Sequence, residues 1–507
     1  MLSPTLDETR KIIADYKAAN NTTGKTLYVP LTMELFADVK TPVEVLRAVK
    51  KGKKKGIKAA LLESAPSGDN WGRYSYIVFN PLIEIIGKNG AVTLRDNGAD
   101  KPTDVIFGDV HENIKNIVGK YVSPKLPTLP DFTGGFVGYF AYEYYALTEK
   151  TLHISPKDDF GFDDVRLMLF DKLIAFDNFR QKMLLIANID ASDLENNYIK
   201  AVTALKDIET LILSDIDGAP AASTKPPRKL EWSQSFTEEK YCAAVEKAKE
   251  YIHEGDIFQC VPSIRFTAPY TRGDLFNAYR CLRTTNPSAY MFYVDFGDLT
   301  LSGASPETLV SLKDGTISTF PIAGTCKRGE TETETAELIA ALLADKKELA
   351  EHDMLVDLGR NDIGKVSEFG SVKVTGYHSI KKLSKVCHIA STVTGKIRAD
   401  KTAMDALAAV LPAGTLSGAP KKRAAEIINE LEKGVKRGTY GGGIGYIGFT
   451  GDMDICIGIR MATLRNEKVF VQAGGGVVAD SIPLNEYNEA KAKASAVILA
   501  LELAEEL

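Results

Sequence analysis

A series of short β-branched and aromatic runs, each closed by a turn residue, limits the fold of this chain more than any other feature. Before residue 218 the runs read ALLESA, RYSYIVFN, LIEIIGK, AVTLRD and KLIAFDNF, separated by Gly, Asn, Asp and Pro. Such runs are strands. Beyond residue 232 further strands, AYMFYVDFG, TLSGASPETLVSLKDG, TISTFPIAGT and KVFVQAGGGVV, are mixed with helices predicted near 332–358, 403–410, 420–432 and 485–505. Antiparallel hairpins with helices outside them predict an α+β fold and argue against a doubly wound parallel sheet.

One stretch divides the chain. GAPAASTKPPRK, from Gly218 to Lys229, is rich in small residues and carries Pro226-Pro227, which resists both helix and sheet. Amphipathic helices are expected on either side, at Leu194–Leu213 and at Thr237–His253, the second capped by Thr237. This gives an N-terminal region 1–217, a linker 218–231 and a C-terminal region 232–507, expected to pack into one compact unit. GGFVGYF at Gly134 and GGGIGYI at Gly441 echo each other as glycine-aromatic strands. Either each half holds a similar sheet or common hairpin chemistry explains the echo. The lysine run Lys50–Lys58 is expected to be a solvated loop.

Composition narrows the function classes. The 507 residues suffice for two to four domains or one large enzyme. With 44% hydrophobic and 25% charged residues, a soluble globular chain is expected. No stretch approaches the roughly 20 apolar residues of a spanning helix, so no membrane is expected. The start, MLSPTLDETRKIIADYKAAN, lacks the apolar core of a secretory signal. A net charge of -5 makes nucleic acid an unsuitable partner. The cysteines Cys242, Cys260, Cys281, Cys326, Cys387 and Cys456 contain no C-x-x-C pair, and a reducing cytoplasm is the simplest home. Cys387-His388 resembles a nucleophile and its base, but neighbours on a strand point to opposite faces.

The chemistry-bearing residues begin with misplaced carboxylates. On a helix, Glu351 shares a face with Met354, Leu355 and Leu358, where a carboxylate needs an ion pair or a metal. Glu486, Glu489 and Lys493 lie at helical spacing on one face, as a surface salt bridge or as a functional cluster. They follow Gly474, Gly475 and Gly476, whose backbone N–H groups can meet an anion closely. A few carboxylates plus a ligand oxygen is how Mg²⁺ is held. In PAGTLSGAPKK, Thr415 and Ser417 stand before a helix opened by Pro420, whose N-terminus favours anions. Glu307 in SGASPETL reads either as a general acid or as a solvated turn residue. G-x-x-x-x-G-K-[ST] and G-x-S-x-G are absent, and GGGIGYIG runs on as strand, unlike a dinucleotide fingerprint. Mg²⁺ with a small anionic substrate is as far as these residues reach alone.

Together, GDIFQCVPS, NPSAYMFY, GASPE, PIAGT, AEHDMLVDLGRND, PAGTLSGAPK, GTYGGGIGYIG, DICIGIR, QAGGGVV and the E-x-x-E-x-x-x-K of Glu486–Lys493 resemble the chorismate-utilising enzymes, in family order. LLES at Leu61–Ser64 extends the resemblance, more loosely, to the anthranilate synthase component I branch. The resemblance implies two antiparallel β-sheets packed as a sandwich with helices outside. It also implies that chorismate is attacked at C2 while the C4 hydroxyl leaves. The aminodeoxychorismate branch has an attacking lysine where PIAGT has Ala323. Isochorismate formers have a water-activating lysine where GDIFQCVPS has Gln259. Ammonia needs neither lysine, so the two residues favour anthranilate formation over those alternatives. The intact site argues against a third reading, a non-catalytic tryptophan-binding subunit.

By resemblance, Glu351 and Glu489 bind Mg²⁺, with Glu486 close by. Gly324, Thr325, Gly474, Gly475, Gly476 and Lys493 contact chorismate, and Tyr440 and Arg460 clamp its enolpyruvyl carboxylate. Glu307 protonates the departing hydroxyl, and His388 and Thr415 line the ring site. Ammonia is expected from a glutamine amidotransferase subunit (component II), since this chain has no glutaminase elbow. Tryptophan is expected to inhibit at a second site, with Ser64, Ala289, Tyr290 and Met291 on the inhibitor-binding positions. Ala289 stands where the usual pattern has its second proline, which implies a less rigid loop.

Overall fold

The predicted strands form, and they assemble into two large sheets that each draw on both sides of the 218–231 stretch. The computed structural model describes residues 2–38, 40–51, 57–64, 72–96, 102–152, 154, 157–214, 227–382 and 386–507. The larger sheet has 13 strands. Its path runs Leu2–Ser3, Thr26–Phe36, Lys182–Asp190, Lys172–Asp177, Tyr74–Phe79, Ala59–Glu63, then Tyr290–Asp295, Leu299–Ser305, Met461–Arg465, Lys468–Gly474, Ser263–Pro269 and Ser233–Gln234. The 12-stranded sheet runs Ile322–Lys327, Val386–Lys396, Thr316–Thr319, Thr308–Lys313, Met453–Ile457, Gly443–Gly448, then Gly135–Phe140, Val165–Phe170, Ile83–Lys88, Ala91–Asp96 and Asp104–Phe107. Among these strands pairing is antiparallel, apart from a short parallel contact of Thr26–Phe36 with Tyr121–Val122.

Each sheet has one seam where the two regions meet. In the first, Met291 pairs with Glu63 and Val294 with Ala60. In the second, the two glycine-aromatic strands pair with each other, Gly138 opposite Gly445. The sequence echo therefore marks partners in one sheet, and the expectation of a similar sheet in each half is corrected. The glycines admit close neighbours here. A Cβ on Gly138 would lie 2.0 Å from the Arg166 carbonyl, and one on Gly445 would lie 2.1 Å from that of Asp454.

The two sheets face each other as a sandwich. Tyr139, Val137 and Phe170 of one region and Phe292, Leu301 and Ile444 of the other share the core between them. Helices cover the outside. Leu194–Leu213, Glu238–His253, Phe276–Thr285 and Pro483–Ala504 pack on the larger sheet, and Lys346–Gly364 and Ala403–Val410 pack on the smaller. This is the α+β sandwich expected from the sequence.

Some local expectations need correction. The helix predicted over 332–358 is two helices, Glu332–Ala344 and Lys346–Gly364, because the Asp345 side chain accepts from the Lys347 and Glu348 backbone N–H groups. A capping carboxylate starts a new helix there and turns it to a new direction. The lysine run is not simply solvated. Lys50 ends a helix and pairs with Asp274 and Asp295, and Lys58 pairs with Glu84. Residues 52–56 between them lie outside the described residues, as does most of the linker, 218–226.

Candidate active site

At one end of the sandwich, loops and helix faces from the C-terminal region enclose a cavity of about 1100 Å³. Glu307, Gly324, Thr325, Glu351, His388, Thr415, Tyr440, Arg460, Gly474, Gly476, Glu486, Glu489 and Lys493 all line it. Sequence separation is bridged by the topology. Glu307 lies between the Leu299–Ser305 and Thr308–Lys313 strands, the smaller sheet supplies Thr325 and His388, and the helices Lys346–Gly364 and Pro483–Ala504 supply the other carboxylates.

One wall is built for proton transfer. The Thr415 hydroxyl donates to Glu307 Oε1 at 2.9 Å. Burial pushes the Glu307 carboxyl up to about 7, against the pull of Thr415, Arg460 and Lys493. Such a group exchanges a proton near neutrality. Thr325 Oγ1 and His388 Nδ1 share a hydrogen bond of 2.9 Å, and burial lowers the His388 imidazole from its ordinary value. Arg460 holds a left-handed backbone with φ 51°. A residue other than glycine in that region costs about 1–3 kcal/mol, a strain typical of sites that must aim a side chain. Arg460 and Tyr440 together present a cation and a phenol to the cavity, the pair that a carboxylate needs.

Another part of the lining is acidic. Glu351 receives Gln259 Nε2 at 3.3 Å, not the lysine or arginine that a structural ion pair would supply. Burial raises its carboxyl, and repulsion from Glu348 and Glu489 adds to this. Burial likewise raises Glu486, with Glu489 and Glu351 repelling it. Glu489 is paired with Lys493 at 2.5 Å. Carboxylates from two helices are crowded against one another here, and all-oxygen donors suit a hard divalent cation. Among the described residues, however, no three His, Cys, Asp or Glu side chains converge as a ready ligand set. The expected trio of Glu351, Glu486 and Glu489 is thus not preassembled, and a cation there takes further oxygens from water or ligand.

The glycine run shows a steric use that the sequence did not mark, while Gly474 and Gly476 line the cavity. None of Gly474, Gly475 and Gly476 has a positive φ, so they do not form an anion nest. They admit close neighbours. A Cβ on Gly474 would lie 2.2 Å from the Pro262 carbonyl, on Gly475 2.5 Å from Glu486 Oε2, and on Gly476 2.6 Å from Gln259 Nε2. Gly475 itself does not line the cavity; it makes room for Glu486. The helix opened by Pro420 also lies off the cavity. Its first residue, Lys421, is buried against Asp362, and Thr415 sits instead in a separate short helix, Gly414–Ser417.

Sequence reading missed several lining groups, among them Glu348, Lys381 and the direct part played by Gln259. Glu348 lies one helical turn before Glu351 and on its face, so the spacing of three was the available signal. Lys381 comes from a strand that carried no motif. Gln259 lines the cavity with Oε1 buried and without a hydrogen-bond partner, and the sequence had marked it only as a missing lysine.

The four inhibitor-assigned residues divide. Ala289 lines the substrate cavity, within Asn286–Ala289. Tyr290 and Met291 open the strand at the first seam, and Ser64 follows Glu63, the partner of Met291. Among the described residues Ser64 Oγ is buried without a hydrogen-bond partner, and the Tyr290 hydroxyl donates to Asp454 Oδ1 at 2.9 Å.

Comparison with known proteins agrees with this geometry. The description of a chorismate binding enzyme family matches residues 60–499. An anthranilate synthase component 1 from Acetivibrio thermocellus is 43% identical, with 100% of both chains covered. The crystal structure of anthranilate synthase component I from Streptococcus pneumoniae superposes with a TM-score of 0.73 at 38% identity, covering 92% of this chain and 99% of that one. A menaquinone-specific isochorismate synthase from Escherichia coli shares the fold, with a TM-score of 0.68 at 16% identity over 97% of this chain and 99% of that one. With full-length relatives on one side and a cavity of matching residues on the other, the chain belongs to the chorismate-binding enzyme family, on its anthranilate synthase component 1 branch.

Proposed function

We propose that this chain converts chorismate and ammonia to anthranilate and pyruvate, in the cytoplasm, with Mg²⁺ bound and with ammonia delivered by a glutamine amidotransferase subunit. The observation that carries the reading is the pairing of two groups of residues in one cavity. A protonatable Glu307 held by Thr415, with Arg460 and Tyr440, lines the same cavity as the mutually repelling Glu351, Glu486 and Glu489.

The chain's own residues supply most of the chemistry. Arg460 and Tyr440 hold the enolpyruvyl carboxylate and so fix the ring. Glu307, protonated, donates to the C4 oxygen as that bond breaks, while ammonia adds at C2. Thr415 keeps the Glu307 carboxyl aimed. His388, oriented by Thr325, lines the ring edge where the C2 proton leaves as pyruvate is lost. Glu351 and Glu489, with Glu486, would hold Mg²⁺, which when bound neutralises the ring carboxylate and draws electron density from the breaking C–O bond. Water is a poorer nucleophile than ammonia. With Gln259 and Ala323 in place of two lysines, neither position offers a base to activate water or an amine to attack the ring.

Tryptophan inhibition belongs to the same reading, at Ser64, Tyr290 and Met291. The Ser64 hydroxyl, without a partner among the described residues, supports a polar ligand at the seam. Ala289, in the loop joining that strand to the substrate cavity, provides the connection.

The test is direct. The purified chain is incubated with chorismate, Mg²⁺ and ammonium, and anthranilate fluorescence is followed. Formation of anthranilate that stops with a chelator is the expected result. Accumulation of isochorismate, or turnover indifferent to the chelator, overturns the reading.

A further inference from the structure

Cys326 and Cys387 stand directly opposite each other on the antiparallel strands Ile322–Lys327 and Val386–Lys396. The same register pairs Thr325 with His388 on one side and Lys327 with Val386 on the other. Opposed residues of an antiparallel pair have Cα atoms about 4.5 or 5.5 Å apart, depending on whether the pair is hydrogen-bonded. Either spacing lies within the roughly 4.4–6.8 Å that a disulfide bridges. The two thiols lie in hydrogen-bonding contact. Both are free; Cys387 is buried and Cys326 partly exposed. The other four cysteines face no cysteine in register among the described residues. The proposed reaction uses neither thiol.

We propose that Cys326 and Cys387 form a reversible disulfide, a redox modification site on the strand pair that carries Thr325 and His388. The oxidant class is a small-molecule disulfide such as oxidised glutathione. The partly exposed Cys326, as thiolate, attacks one sulfur of the oxidant, and one glutathione leaves as thiolate. Cys387, deprotonated in turn, attacks the Cys326 sulfur of the mixed disulfide, and the second glutathione leaves. Two protein thiols are oxidised to one disulfide, and one small disulfide is reduced to two thiols that take up the two protons. Burial, with Cys387 adding to it, pushes the Cys326 thiol up, so the first step is slow at neutral pH and quickens as pH rises.

The consequence for the site follows from proximity. The bridge would fix the strand spacing one residue from the Thr325–His388 hydrogen bond and two from the bulge between Ala323 and Thr325. Displacement of a positioned group by a fraction of an ångström suffices to slow a reaction, and about 1 Å costs about a hundredfold. A fall of about tenfold in kcat/KM on oxidation is therefore expected.

The full chain is incubated with oxidised glutathione at mildly alkaline pH, alkylated, and read by intact mass, peptide mapping and anthranilate formation. The expected result is loss of two hydrogens, a cross-linked peptide joining 326 to 387, and an activity that falls and returns with dithiothreitol. Cys326→Ser is expected to keep full activity and to be indifferent to the oxidant. Cys387→Ser is expected to stop at a glutathione adduct on Cys326; if that buried variant does not fold, Cys326→Ser alone carries the control. Both thiols remaining alkylatable, or the adduct persisting in the unsubstituted chain, overturns the bridge. A bridge with unchanged kcat/KM overturns its action on the site. The activity arm rests on the proposed reaction and the mass arm does not, so the two fail separately.

Discussion

Glu307 joins function and stability in one carboxyl. Its burial raises it to about 7, above the ordinary 4.5 of an exposed glutamate. A general acid must be protonated, so turnover per unit of free ammonia should fall as pH rises through about 7. Replacement by Gln should remove both the activity and that limb of the pH profile. The stability runs in the same direction with pH. Between pH 4.5 and 7 the folded chain binds more protons than the unfolded one at this group, so stability falls as pH rises. Glu307→Gln should therefore be more stable than the parent at pH 8, by about 2–3 kcal/mol in chemical denaturation. A variant that is both inactive and less stable at that pH would mean that the carboxyl is ionised and well solvated instead. Glu351→Gln should likewise abolish turnover with the fold retained, because it removes a cation-binding oxygen at a site already held only by Gln259. Near-normal activity with Mg²⁺ would contradict the metal assignment.

At the scale of elements, positions that look alike in sequence separate by what they touch. Asp345 is one polar residue in a helical stretch, yet its carboxylate ends one helix and starts the next. Asp345→Ala should cost about 1 kcal/mol in thermal or chemical unfolding. It should also raise the Mg²⁺ concentration needed for half-maximal activity, since Glu348 and Glu351 ride on the first turns of that helix. An unchanged metal requirement would mean that the cap stabilises without positioning. The strand runs, most helices and a set of residues that come to line one cavity were legible, because periodicity marks elements and the motif order marks the site. The helix break was not, since Asp occurs on helix surfaces as often as it caps. Nor was the purpose of Gly474–Gly476, since a glycine that makes room for a neighbour reads the same as one that binds an anion. Gly475→Ala separates these two uses. The added methyl would meet Glu486 Oε2 at 2.5 Å, so it should disturb the metal requirement more than the KM for chorismate. The reverse order would restore the anion role.

At the scale of the molecule, the two regions named by the linker are not two cores. Strands before 218 form one block and strands after 231 another in both sheets, and each seam is an antiparallel ladder. The sequence could not reveal this, because strand runs carry no label for their partner across such a separation. The one hint was the glycine echo, whose meaning was pairing and not duplication. Phe292 belongs to the core shared between the sheets and sits one residue beyond the seam pair of Met291 and Glu63. Phe292→Ala should cost about 3–5 kcal/mol. If the sheets are continuous, that loss is felt by the whole chain. Calorimetry, near-ultraviolet dichroism and activity should report one transition, shifted together. Cleavage within 218–226 should leave the two fragments associated on gel filtration, because both seams hold them. Each fragment expressed alone should fail to fold, since it would expose a seam edge in both sheets and half of the common core. Two separated transitions in the variant, or an isolated 232–507 fragment with a cooperative fold and turnover, would show that the C-terminal region completes its own core and that the seams join finished domains.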